Sequence, residues 1–205
     1  MPGVVGARLA APLARHTGGN PLFVLETLKQ AVFADGFKDG RLPRPLGVIE
    51  AIERRLVGLT TSAQSLVQVA AVAGADSSVQ LAEAVLGTTV LALAEAWREP
   101  ESAQLIDGDA FVHDLVHEAV LGWVPQPIRR HLCGAVAGFL AARNGDPGRI
   151  ADLWLAAGDD EHAAPALTAA AEAARRAGCF VEAGQRSEQA AHVYDRLGRA
   201  ALAFE

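Results

Sequence analysis

Lysine is nearly missing from this 205-residue chain: Lys29 and Lys38 are the only two, and neither follows a glycine. A phosphate-binding loop of the GxxxxGK[ST] kind needs that Gly-Lys step, so the chain cannot cradle the phosphates of ATP by itself. Cysteine is equally sparse. Cys133 and Cys179 stand far apart with no CxxC pair, which argues against a disulfide scaffold and a structural zinc and suits a reducing cytoplasm. Aromatic residues make up only 5% although 51% are hydrophobic, and much of the apolar content is alanine. Small side chains at that density favour closely packed helices over a β-sandwich, so the chain should be mainly α.

A long basic run is also missing, and with a formal net charge of −6 a direct nucleic-acid surface is not expected. A membrane segment is not expected either. The longest uncharged stretch, Leu56 to Ala75, carries Thr60, Thr61, Ser62, Gln64, Ser65 and Gln68, too many polar groups for hydrocarbon. Arg8 and Arg15 interrupt the apolar run at the N-terminus, which makes a poor signal peptide. These features describe a cytoplasmic, soluble chain.

What is present is helical periodicity. TGGNP (17–21) is a turn signal, and Pro21 opens PLFVLETLKQAVFADG at a first helical turn. LGVIEAIERRLVGL (46–59) spaces Ile49, Ile52, Leu56 and Leu59 along one face. Three short helices are expected next: TSAQSLVQVAAVAG with a Thr61–Gln64 capping box, SVQLAEAVLG capped by Asp76 or Ser77, and TTVLALAEAWREP ended by Pro100. Two short apolar runs around Asp107-Gly108 predict a type I′ hairpin. Three helices followed by a hairpin is the order of a winged helix. Beyond Asn144-Gly145-Asp146-Pro147, glycines 158, 178 and 198 recur every 20 residues and mark inter-helix turns. That spacing fits an α-solenoid of tetratricopeptide type, and a plain helical bundle fits it as well.

FVHDLVHEAV (111–120) carries the chemistry to be weighed, with His113-Asp114 and His117-Glu118 one helical turn apart. HDLVH is similar to the zinc-protease motif HExxH. Against that chemistry, Asp114 is a methylene shorter than the general base, no suitable third ligand follows, and the motif begins a helix. No GxSxG or GxGxxG occurs, and the acid in AVFAD (31–35) continues a helix instead of ending a buried strand. For Gly19-Asn20-Pro21 a helix-start turn, and for His113 a capping role, remain the plain alternatives.

HTGGNPLFVLETLKQ, LPRPLGVIEAIERRL, LVQVAAVAG and FVHDLVHEAV, in that order, resemble the C-terminal half of a STAND-class signal-transduction ATPase. Members of that class include the large LuxR/MalT-type transcriptional regulators and the ATPase modules attached to adenylate cyclases and serine/threonine kinases. The resemblance implies a helical lid segment over 1–59, a winged-helix-like domain over 60–125 and a tetratricopeptide-like region over 126–205. It implies nucleotide contacts at Gly19, Asn20 and Pro21, whose proline would pack on adenine, and at His113, whose imidazole would meet the β-phosphate of ADP. ATP or ADP is expected only if a P-loop domain completes the site, and no metal is expected. The P-loop, Walker B strand and arginine sensor of such proteins would lie before Met1, and the DNA-binding helix-turn-helix of LuxR-type members beyond Glu205. The expectation is therefore a regulatory fragment without independent activity, partnered by a P-loop domain or by a protein bound to its helical repeats. The alternative is a stand-alone helical interaction module with no nucleotide role.

Overall fold

The computed structural model describes residues 46–198, together with Leu13, Pro21, Val24, Leu25, Thr27 and Leu28. The chain divides into two compact units, Met1–Val124 and Pro125–Glu205. It is mainly α, and a two-stranded antiparallel hairpin is the only sheet among the described residues. No single helix among those residues is long and apolar enough to cross a membrane.

In the first unit, α1 (Leu46–Val57) turns Val48, Ile52 and Leu56 inward, none more than 3% exposed. That row steps by four residues, so Val48 takes the core position expected of Ile49, which is half-buried. Helix α2 (Thr61–Ala73) is apolar on nearly every side and buries eight of its residues. On one flank Val67, Ala70 and Ala71 join Ile52 and Leu56 of α1, with Leu115, Val116 and Val120 from α5 (Asp114–Trp123). On the other flank Leu66 meets Ala82 of α3 (Val79–Leu86) and Leu93 and Ala96 of α4 (Val90–Ser102).

The helix boundaries depart from the sequence expectation in instructive ways. Thr60, not Thr61, caps α2, its Oγ1 accepting from the N–H of Ala63. A capping box would send Gln64 back to the cap N–H. Instead the Gln64 Nε2 donates to the carbonyls of Leu56 and Leu59, and Glu99 of α4 accepts from both the Thr60 N–H (2.8 Å) and its hydroxyl (2.7 Å). The reciprocal bond that a local box supplies comes here from a distant helix. Ser78, not Asp76 or Ser77, caps α3, because Gly74–Asp76 forms a short 3-10 turn that pushes the start onward. Pro100 does not end α4; it lies buried in the last turn, where the helix continues to Ser102. Proline removes only its own N–H bond, and the Pro100 carbonyl still accepts from Leu105.

Strands β1 (Ile106–Asp107) and β2 (Ala110–Phe111) pair Ile106 with Phe111 and Asp107 with Ala110. The hairpin is where it is expected, but Gly108-Asp109 is its two-residue loop. Gly108 has φ +64° and Asp109 does not share the positive φ, which matches a type II′ turn with glycine first and not type I′. The Trp97 indole N–H donates to the Gly108 carbonyl at 2.6 Å, fastening the turn to α4.

The second unit contains α6 (Gln126–Ala141), α7 (Pro147–Ala157), α8 (Asp160–Arg176) and α9 (Phe180–Arg196); α7 packs on α6, α8 on α7 and α9 on α8. Asp146 caps α7, its carboxylate accepting from the Arg149 N–H at 2.7 Å, and Pro147 follows in the first turn. Gly158, Gly178 and Gly198 all adopt positive φ, +78°, +78° and +70°, where each chain leaves a helix. Ala151 of α7, Ala164 and Leu167 of α8, and Ala190 and Val193 of α9 form one core, so alanine lets three helices approach closely.

Two outcomes are expected from this framework. Thr60→Ala should lower stability by about 1 kcal/mol at neutral pH, read from urea denaturation. The Thr60 hydroxyl, and then its N–H, hold the Glu99 carboxyl below its ordinary range. Its ionised form is thus favoured by folding, so the contribution is present at neutral pH and is lost as pH falls through the depressed value. Equal midpoints for wild type and variant at pH 7 would contradict the lock. Gly178→Ala should cost about 1 kcal/mol through the left-handed backbone alone, since nothing lies within 4 Å of the added Cβ.

Candidate functional site

The hairpin delivers the chain to the start of α5. His113 sits there as the N-cap, with φ −154° and ψ 149°, half-buried and making no capping hydrogen bond to its own helix. Asp114 places a carboxylate in the first turn, where the helix dipole favours negative charge. Because His113 is extended and His117 is helical, the two imidazoles do not share one helical face. The i, i+4 geometry of a zinc-binding HxxxH pair requires both in the helix.

His117 is engaged elsewhere. Its Nε2 lies 2.7 Å from the Ala71 carbonyl, and a carbonyl can only accept, so that nitrogen carries the proton. Its ring also stacks on Phe111 at 5.1 Å between centroids. His117 therefore ties α5 to the C-terminal turn of α2 and to the hairpin. It is a packing residue with one nitrogen committed.

Of the four residues that the family resemblance assigns to nucleotide, Gly19 and Asn20 lie outside the described residues. Pro21 is helical and exposed. His113 is thus the one whose surroundings can be followed: an imidazole beside the first turn of α5, at the exit of the hairpin.

A second feature was not singled out from sequence. The end of α1 and the end of α4 border a cleft of about 450 Å³. Arg54, Arg55, Arg98, Glu99 and Ser102 line it, with Gly58, Leu59 and Ala103. Arg54-Arg55 and Arg98 are visible in the sequence, but 43 residues separate Arg55 from Arg98 and no motif links them. Only the packing of α4 against the segment after α1, through Thr60 and Glu99, puts them together.

In the second unit two arginines are paired with aspartates. Arg186 of α9 makes a bidentate bridge to Asp152 of α7, and Arg196 grips Asp160 at the start of α8 at 2.8 and 2.5 Å. The hydrogen bond to Asp152, with the nearby charges of Asp152, Glu182 and Asp146 adding to it against partial burial, pushes the Arg186 guanidinium above its ordinary range. Arg196 in turn holds Asp160 below its own. Trp154 and His162 stack at 4.6 Å, and the His162 Nδ1 lies 2.8 Å from Asp159. These contacts brace α7, α8 and α9.

Compared with protein-family models, curated proteins and solved structures, the chain matches none of them significantly.

If His117 is a structural residue, His117→Ala should lower the stability of the first unit by about 1–3 kcal/mol, since it leaves the Ala71 carbonyl without that donor. Chemical denaturation followed by tryptophan fluorescence reports it through Trp97 and Trp123. A variant as stable as wild type would contradict the role.

Proposed function

We propose that the chain is the regulatory part of a nucleotide-dependent signal-transduction switch of the STAND class, comprising lid, winged-helix-like and helical sensor segments. The observation that carries this reading is the position of His113: directly after a hairpin, at the N-cap of the following helix. That is where the family resemblance puts its phosphate-sensing histidine. An imidazole N–H at a helix start adds a donor where the helix already favours anions. The residues suit an anion in this respect, although Asp114 competes for the same helix end and the chain carries no phosphate loop of its own.

In this reading ATP or ADP binds only with a P-loop domain supplied by a partner, with Gly19, Asn20 and Pro21 against the base and His113 against the β-phosphate. No metal is held by this segment. The nucleotide would supply the charge whose presence or loss biases two domain arrangements. The helices after Pro125 would receive a protein partner, and this segment would not itself read nucleic acid. The site for such a switch would be the cytoplasm.

A second reading, a helical interaction module without nucleotide, has its own support. Phe180 and Val181 open α9 at 71% and 79% exposure, an apolar pair left in water at the edge of the helical array. Partner capture that is indifferent to nucleotide and lost in Phe180→Asp would favour it.

The primary reading is tested by equilibrium titration with ADP. The chain alone should bind negligibly, and a family P-loop domain added in trans should restore binding. His113→Ala should then weaken affinity about tenfold, the worth of one hydrogen bond to a charged group. Equal affinities for wild type and variant in the reconstituted pair would refute the phosphate contact.

A further inference from the structure

We propose that the cleft between the ends of α1 and α4 binds a small multivalent oxyanion, through the guanidinium groups of Arg54, Arg55 and Arg98. Three arginines and one carboxylate line it. The carboxylate, Glu99, accepts from Thr60 with both oxygens and offsets one of the three guanidinium charges, so the lining as a whole stays positive. Arg54 and Arg98 are exposed, and neither forms an ion pair or hydrogen bond with the described residues. Arg55 donates from Nη1 to the Ala103 carbonyl at 3.3 Å, which directs its fork across the cleft and leaves its other donors.

The bland explanation of arginines here is complementation of helix dipoles. It accounts for Arg54 and Arg55, which occupy the last turn of α1, at about 0.3–1 kcal/mol each. It does not account for Arg98, since the last turn of α4 contains no basic residue. Concentrating positive charge in one cleft also runs against a chain whose net charge is −6. The second unit shows what this protein does with arginines used for bracing: it pairs them bidentately with aspartates.

The cleft is shallow and widely open to solvent, so it selects chiefly by charge. Its volume of about 450 Å³ lies within the roughly 300–1,000 Å³ of small-ligand sites. An exposed ion pair contributes only about 0.2–1 kcal/mol, so a single charge would bind feebly. A ligand with several anionic oxygens bridges two or three forks at once, and arginine suits phosphate and carboxylate alike. The Ser102 hydroxyl adds a neutral donor at the rim. The positive patch is confined to the ends of two helices, which fits a compact anion better than an extended nucleic-acid backbone.

The test is calorimetric titration of the whole purified chain with pyrophosphate and, separately, with citrate, at low and at physiological ionic strength. Saturable one-to-one binding by either anion is expected, weakening with salt, and the tighter of the two tells whether phosphate or carboxylate is preferred. Arg54→Gln with Arg98→Gln should weaken it about tenfold, and Arg98→Gln alone several-fold. Both positions are exposed, so helicity should be retained and is checked by circular dichroism. Arg175→Gln with Arg176→Gln, an exposed pair at the end of α8, should leave binding unchanged. Absence of saturation by both anions, or equal weakening in the α8 pair, overturns the proposal. The measurement needs neither a P-loop domain nor His113, so this site and the nucleotide reading can fail independently.

Discussion

The first unit depends on the burial of α2 along both flanks. Eight of its residues are removed from water, and Leu66 points into a different cluster from Val67, Ala70 and Ala71. Each buried leucine or valine contributes about 1.5–3 kcal/mol, so this single helix supplies much of the apolar drive for α1, α3, α4 and α5 to assemble. Its alanines let neighbours approach closely enough for polar contacts at its two ends. Thr60 and Glu99 meet at one end, and Ala71 accepts from His117 near the other. The hydrophobic constraint comes first and the hydrogen bonds fix the register.

The division of labour within HDLVH follows from that geometry. His117, one turn into α5, lies against α2 and Phe111, so its imidazole is part of the packing. His113, four residues earlier, still has strand-like backbone and caps the helix without belonging to it. Two residues of the same type, separated by one helical turn in sequence, are thus assigned different work by where the helix begins.

Arginine shows a similar split. Arg186 and Arg196 stitch α9 to α7 and to the start of α8 through paired carboxylates. Arg54 and Arg98 line an open cleft in which three arginines stand against one acid, Glu99. Composition reports one residue type in excess over lysine, while the partners available at each position separate braced arginines from solvent-facing ones.

The mainly α class, the hairpin around Gly108 and the glycine-closed turns of the second unit were legible in the sequence, because each rests on local backbone physics: alanine content, a two-residue turn, a left-handed φ. The capping of α2 was not. Thr60 and Thr61 are equivalent in sequence, and the choice between them depends on Glu99, 39 residues away. Pro100 likewise reads as a stop, yet its burial and the Leu105 hydrogen bond carry the helix past it. The arginine cleft had no sequence signature at all, and of the four nucleotide-assigned residues only His113 and Pro21 fall where the structure can place them. What the sequence alone determined is which segments are helix and where they must turn, since those follow from neighbours along the chain. Which histidine packs, which threonine caps and which arginines share a cleft were decided only by the tertiary structure, because each depends on groups that folding brings from distant parts of the chain.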